Sequence, residues 1–220
     1  MTDIQQHIAS IRARIPEHVT LICVSKFHPH EAIMQAYACG ERDFGESRVQ
    51  ELIPKYEALP KDIRWHFIGH LQTNKVRQIV GKVDAIDSVD SLRVAEAISK
   101  HSEQLGIVTP ILVEVNIGGE EAKSGIAPER LEELLYQISP LKGVSVYGLM
   151  TIPPILEKES EKRAIFSKMY QLFVDIREKN IDNITMQELS MGMSGDFREA
   201  ILEGSTMVRI GSALFGERNY

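Results

Sequence analysis

The sequence predicts one α/β domain, a single (β/α)8 TIM-type barrel with an extra N-terminal helix. Three observations carry this expectation. Eight short segments of strand character alternate with segments of helical period along the whole chain. The strand candidates are nearly continuous apolar runs such as "ILVEV", which suit a parallel sheet covered by helices. Eight such units fit a chain of 220 residues, and no linker rich in Pro, Gly or Ser divides it. A doubly wound open sheet shares the alternation and stands as the alternative. The expected division is a helix over residues 1–16 and a barrel over residues 17–220.

Each element has its own signal. Ile4, Ile8, Ile11 and Ile15 share one face of an opening helix, and Pro16 ends it. The strand "VTLICVS" follows. A helix around "HEAIMQAYAC" stops at Gly40, and a short "RDFG" leads into a helix carrying Val49, Leu52, Ile53 and Tyr56. "WHFIG" is the third strand. A helix around "TNKVRQIV" and the strand "KVDAID" come next. The helix "SLRVAEAISKHSEQL" has Gly106 as its stop signal. "TPILVEVNI" is the clearest buried strand. Pro128 opens a helix bearing Leu131, Leu134, Leu135 and Ile138. "VSVYGLM" is a strand, and the long helix after it sets Ile165, Met169, Leu172, Phe173 and Ile176 on one stripe. "ITMQELS", the short helix "GDFREAILEG" and the strand "TMVRIG" complete the set.

Composition excludes several classes. The formal net charge is −6 and no long basic run occurs, so neither nucleic acid nor an anionic membrane is an expected partner. Cys23 and Cys39 are the only cysteines, too few for a disulfide scaffold or a four-cysteine zinc site. The start "MTDIQQHIAS" lacks a basic region and an apolar signal core, and no apolar run is long enough to span a bilayer. A cytoplasmic protein is expected. The histidine pairs in "FHPH" and "WHFIGH" have no carboxylates to complete a metal site. In "GGEEAKSG", Ala122 stands where a phosphate-binding nucleotide loop needs glycine.

Chemistry in such a barrel gathers at the C-terminal ends of the strands. Those ends carry Lys26, Gly45 and Ser47, Gly69 and His70, Asp87, Asn116, Met150, Ser190 and Arg209. The last two loops, "LSMGMSGDF" and "RIGSALFG", are rich in glycine and hydroxyls, where barrels of this kind often bind phosphate. Alone, Lys26 reads as a lysine whose stem lies along the strand end with its charge in water. With a phosphate site across the mouth, a partly desolvated amine there suits Schiff-base chemistry. A ligand with an aldehyde at one end and a phosphate at the other, such as pyridoxal phosphate, has the matching shape. Arg209 facing a pyridine nitrogen disfavours its protonation and makes the ring a weak electron sink. A Schiff-base aldolase barrel acting on a sugar phosphate uses the same parts.

The chain resembles the pyridoxal phosphate homeostasis proteins, relatives of the barrel domain of bacterial alanine racemase. "WHFIGHLQTNKVRQI" is similar to that family's signature. "VSK", "NIGGEEAKSGI", "GLMTI", "LSMGMSGDF" and "GSTMVRIGSALFG" fall in the family's order. The resemblance implies a barrel of the type called fold-type III among pyridoxal phosphate proteins. Lys26 matches the lysine that carries the cofactor as a covalent aldimine. Ser190, Gly211 and Ser212 match phosphate-holding positions, and Arg209 the arginine at the pyridine nitrogen. Ser47 stands where Asn is the commoner residue, which removes an amide donor and shortens the reach. Asn116 and Lys123 match family positions without an assigned role.

The implied function is binding of pyridoxal 5′-phosphate in vitamin B6 homeostasis, with delivery to apo-enzymes as transient partners. Alanine racemases carry a second domain and a partner-subunit tyrosine that this chain, ending at Tyr220, leaves no room for. Little racemase turnover and a monomer are therefore expected, with a weak amino-acid racemase as the alternative.

Overall fold

The computed structural model describes residues 2–120 and 123–216. Ala122 and the terminal Tyr220, both named above, lie outside them. Strands β1 (Thr20–Val24), β2 (Asp43–Glu46), β3 (Arg64–Phe67), β4 (Ala85–Val89), β5 (Thr109–Glu114), β6 (Val144–Met150), β7 (Ile184–Ser190) and β8 (Met207–Ile210) form a closed parallel barrel in chain order. β1 pairs with β2 on one side and with β8 on the other, which settles the choice against an open doubly wound sheet.

Strand period sorts the side chains. Ile22, Leu112, Met150 and Met207 pack against one another inside the barrel, with Tyr147 beside them. Their neighbours Leu21, Cys23, Phe44 and Val113 belong to the larger core between barrel and helices. Gly45 is required on the inner face: a Cβ there would lie 2.9 Å from Ile22 Cγ2 and 3.0 Å from Ile68 Cδ1. Its neighbour Glu46 is thereby turned outward, toward the helix layer.

The covering helices follow the predicted stripes. They are α2 (His30–Ala38), α3 (Val49–Ala58), α4 (Val76–Ile79), α5 (Leu92–Leu105), α6 (Pro128–Ile138), α7 (Glu159–Glu178) and α8 (Phe197–Leu202). The opening helix α1 (Asp3–Arg12) is shorter than the predicted 1–16. It starts on a capping box between Thr2 and Gln5. Its end comes before Pro16, where Arg14 N–H and Ile15 N–H bond three residues back, to Ile11 and Arg12, and tighten the last turn. A further turn of helix, α9 (Ser212–Phe215), follows β8 and is absent from the sequence-based expectation. It packs on α1 and directs its first residues at the C-terminal mouth. No helix among the described residues is long and apolar enough to cross a membrane.

The other half of the barrel wall holds a buried charge cluster. His66 Nδ1 lies 3.2 Å from Asp87 Oδ2, and its Nε2 lies 3.5 Å from Asp43 Oδ1. Burial pulls the imidazole pKa down, but the two carboxylates overcome it and raise it to about 10. Asp43, despite its own burial, is held at about 2 by His66 and Arg64. An imidazole whose folded pKa exceeds its unfolded value of 6.5 stabilises the fold fully below pH 6.5 and loses that contribution as pH rises through 10. His66→Gln takes the cation from the buried Asp87, while Asp43 keeps Arg64, so it should cost about 3 kcal/mol at neutral pH. The gap to wild type should narrow as pH rises toward 10. Urea midpoints across that range check this, and parallel curves would contradict it.

Candidate functional site

The C-terminal mouth holds a cavity of about 230 Å3. Lys26, Ser47, Arg209, Gly211 and Ser212 line it, together with Val24, Ile68, Ile152, Met193, Ser194 and Gly195. Larger hollows exist, one of about 490 Å3 beside His70 and Arg93 and one of about 550 Å3 at the opposite end of the barrel. The mouth cavity brings an amine, a guanidinium and converging backbone N–H groups together, which makes it the candidate site.

Lys26 sits in the turn directly after β1 and is half-buried. The next residue, Phe27, has φ +67°, a left-handed conformation uncommon outside glycine. His28 stacks on Phe215 with ring centres 4.9 Å apart, and His30 opens α2. Both histidines of "FHPH" therefore lie on scaffold positions, and the described residues contain no group of His, Cys, Asp or Glu able to hold a metal ion.

Arg209 is buried and fixed. Its Nη1 donates to Ser190 Oγ at 2.6 Å and its Nη2 to the Thr151 carbonyl at 2.7 Å. Ser190 pairs with Met207 across β7 and β8, so Arg209, two residues on, shares its face. Burial pulls the guanidinium pKa down, while Asp87, Glu114 and Asp196 pull it up. Glu114, on the inner end of β5, has a carboxyl raised to about 7, chiefly by burial and then by Asp90.

The two small-residue loops meet as an anion cradle. Gly211 N–H and Ala213 N–H both donate to Ser194 Oγ, at 3.4 and 3.3 Å. These long bonds mark a point where two backbone donors converge on one oxygen. The loop carrying Ser194 is braced from within and from outside. Met193 N–H donates to Asp196 Oδ1 at 2.6 Å, and Lys162 Nζ of α7 donates to the Gly195 carbonyl at 3.0 Å.

Five predicted residues thus share one cavity: Lys26, Ser47, Arg209, Gly211 and Ser212. Ser190 stands one step behind it, holding Arg209. Ser47 reaches the rim because Gly69 lets the next loop close over it; a Cβ at Gly69 would lie 2.2 Å from the Ser47 carbonyl oxygen. Asn116 and Lys123 lie outside the cavity lining. Asn116 Nδ2 donates to the Glu120 carbonyl at 2.8 Å, and Lys123 Nζ to the Pro153 carbonyl at 3.1 Å, so they tie two mouth loops together. Sequence reasoning missed Ser194, Thr151 and Lys162. Ser194 had a signal, a hydroxyl between glycines in "MGMSGD". Thr151 contributes a carbonyl, which no residue type announces.

Barrel and mouth together define the class: the family described as "Alanine racemase, N-terminal domain" matches residues 1–219 of the chain. Within that class, the chain belongs to the pyridoxal phosphate homeostasis protein family. A member from Aquifex aeolicus is 49% identical over 201 residues, covering 91% of this chain and 87% of the relative. One from Synechocystis is 41% identical over 212 residues, 96% of each. Among solved structures, PipY of Synechococcus elongatus, a COG0325 family member, superposes with a TM-score of 0.91 without PLP and 0.89 with PLP bound. The identities are 40% and 39%, over 97% of this chain and 100% of PipY.

Proposed function

We propose that this protein binds pyridoxal 5′-phosphate at the barrel mouth and holds it as a Schiff base on Lys26. It acts as a cytoplasmic monomer in vitamin B6 homeostasis and passes the cofactor to apo-enzymes. The observation that carries the reading is the convergence of Lys26, Arg209 and the Ser194–Gly211 cradle on one cavity. The PLP-bound form of PipY, alike over nearly the whole chain, supports it.

When bound, the cofactor supplies an aldehyde carbon and an electron-drawing pyridine ring. The residues of the chain do the rest. Lys26 would hold the group at that carbon, supplying the amine nitrogen from the cavity lining. The N–H groups of Gly211 and Ala213, with the hydroxyls of Ser194 and Ser212, hold the phosphate oxygens. Arg209, a donor that stays charged, would hold the ring end of the group and disfavour protonation of its nitrogen. Ser190 acts through Arg209 by holding its guanidinium. Ser47 closes the rim, and Ile68, Ile152 and Met193 exclude water from the ring.

Turnover of amino acids is the competing activity. Racemisation needs an acid/base on each face of the substrate carbon. Among the described lining residues, Lys26 is the one side chain suited to carry a proton to and from carbon. Mixing the purified protein with pyridoxal phosphate should give a saturable one-to-one yellow adduct that loses its colour on borohydride reduction. The loaded protein should racemise alanine slowly or not at all, yet restore activity to an apo-enzyme. A protein that stays colourless, or that turns over alanine robustly, contradicts the proposal.

A further inference from the structure

Behind the mouth, on the helix side of the barrel wall, lies a buried ion pair with no part in the binding chemistry proposed above. Lys55 of α3 is 5% exposed, and its Nζ donates to Glu46 Oε1 at 2.6 Å and to the Ser25 carbonyl at 2.8 Å. Ser25 Oγ donates to the same Glu46 oxygen at 2.7 Å. Glu51, one turn before Lys55, accepts the Phe27 N–H at 2.6 Å, and its Oε2 lies 3.7 Å from Lys55 Nζ. The residues on both sides of Lys26 are therefore gripped from α3. Two more observations mark the grip as unusual. Phe27 is held at φ +67°, a conformation that costs energy and persists where the surroundings enforce it. Glu46 Oε2 is buried without a hydrogen-bond partner, the one such side-chain atom among the described residues.

We propose that the Glu46–Lys55 pair, together with Glu51, is a positioning device for Lys26: it fixes the Ser25–Phe27 turn so that the lysine amine meets an incoming aldehyde at the cavity. This rests on the reading that Lys26 takes the aldehyde of pyridoxal phosphate. None of the three groups lines the cavity, and their grip on the turn runs through the Ser25 carbonyl, the Ser25 hydroxyl and the Phe27 N–H. The device lies outside the phosphate cradle, so it separates attack by the amine from binding of the ligand.

Two measurements distinguish positioning from general support. The first is the rate of appearance of the yellow adduct with pyridoxal phosphate. The second is calorimetric affinity for pyridoxine 5′-phosphate, which keeps the phosphate and ring but has an alcohol in place of the aldehyde. Glu51→Ala removes the acceptor of the Phe27 N–H, and should slow adduct formation on the order of tenfold or more, as small misplacements of a reacting group do. Its affinity for pyridoxine phosphate should stay within about twofold. Glu51→Gln keeps a carbonyl acceptor and should restore the rate. The double variant Glu46→Gln/Lys55→Met removes both buried charges together and should repeat the pattern of Glu51→Ala. If that double variant does not fold, the Glu51 pair decides alone, since its side chain is 22% exposed and tolerates exchange. Adduct formation at the wild-type rate in Glu51→Ala overturns the proposal. So does a loss of pyridoxine phosphate affinity in proportion to the rate. Wild-type protein that binds pyridoxine phosphate but forms no adduct refutes the role of Lys26 itself, a result distinct from either.

Discussion

Lys26→Ala should abolish the yellow adduct while leaving the fold intact. The side chain sits half-buried in a turn after β1, where truncation opens no core cavity. Stability should change by less than about 1 kcal/mol. The covalent link is lost outright, because an imine needs an amine and Ser47, Ser194 and Ser212, the hydroxyls in the cavity lining, cannot form one. Phosphate contacts through Gly211 and Ala213 remain, so weak reversible binding of pyridoxal phosphate should survive. Lys26→Arg gives the sharper control. It keeps the positive charge and length but offers no neutral amine, so it too should stay colourless. A visible band in either variant, matching wild type in position and yield, would place the reactive amine elsewhere.

Arg209→Gln should have the second largest effect, and on two properties at once. The guanidinium bonds Ser190 and the Thr151 carbonyl within the barrel. It also interacts favourably with the carboxylates of Asp87, Glu114 and Asp196. Losing it should cost about 2–4 kcal/mol of stability, since a buried donor network is left half satisfied. In the loaded protein, the ring nitrogen loses the group that keeps a proton off it. The ring then becomes a stronger electron sink, and exchange of the α-proton of alanine in heavy water should speed up by roughly tenfold relative to loaded wild type. Chemical denaturation measures the first effect and proton NMR of alanine the second. An unchanged exchange rate at full cofactor loading would show that Arg209 does not set the electronics of the ring.

The barrel was legible in the sequence because its strands are short, apolar and evenly spaced, and each is followed by a helical stripe. The end of α1 was not, because Ile15 continues the apolar period after the backbone has already tightened at Arg14. α9 escaped because four residues carry no period. The mouth was legible for a related reason. In a parallel barrel the strand ends and the loops after them gather at one mouth, so Lys26, Ser47, Ser190 and Arg209 could be placed there without coordinates, and the family resemblance added the roles of Gly211 and Ser212.

Pairings across the wall were not legible. Nothing in the local sequence singles out Lys55 on its helix. Only the fold brings it against Glu46 and Ser25. The same holds for His66, one of the pair in "WHFIGH", on which Asp43 and Asp87 close from β2 and β4. Ser190 shows the complementary limit. Its place at a strand end is plain in the sequence, yet the partner its hydroxyl meets is Arg209, which register alone decides.

The central claim is that one amine, Lys26, takes the aldehyde of pyridoxal phosphate at this mouth. Loading the protein, reducing it with borohydride and mapping the modified peptide by mass spectrometry tests that claim most directly. The expected result is a single pyridoxyl group on the peptide containing Lys26, at near one equivalent per chain. A pyridoxyl group on Lys55, Lys123 or another lysine with Lys26 unmodified would contradict it.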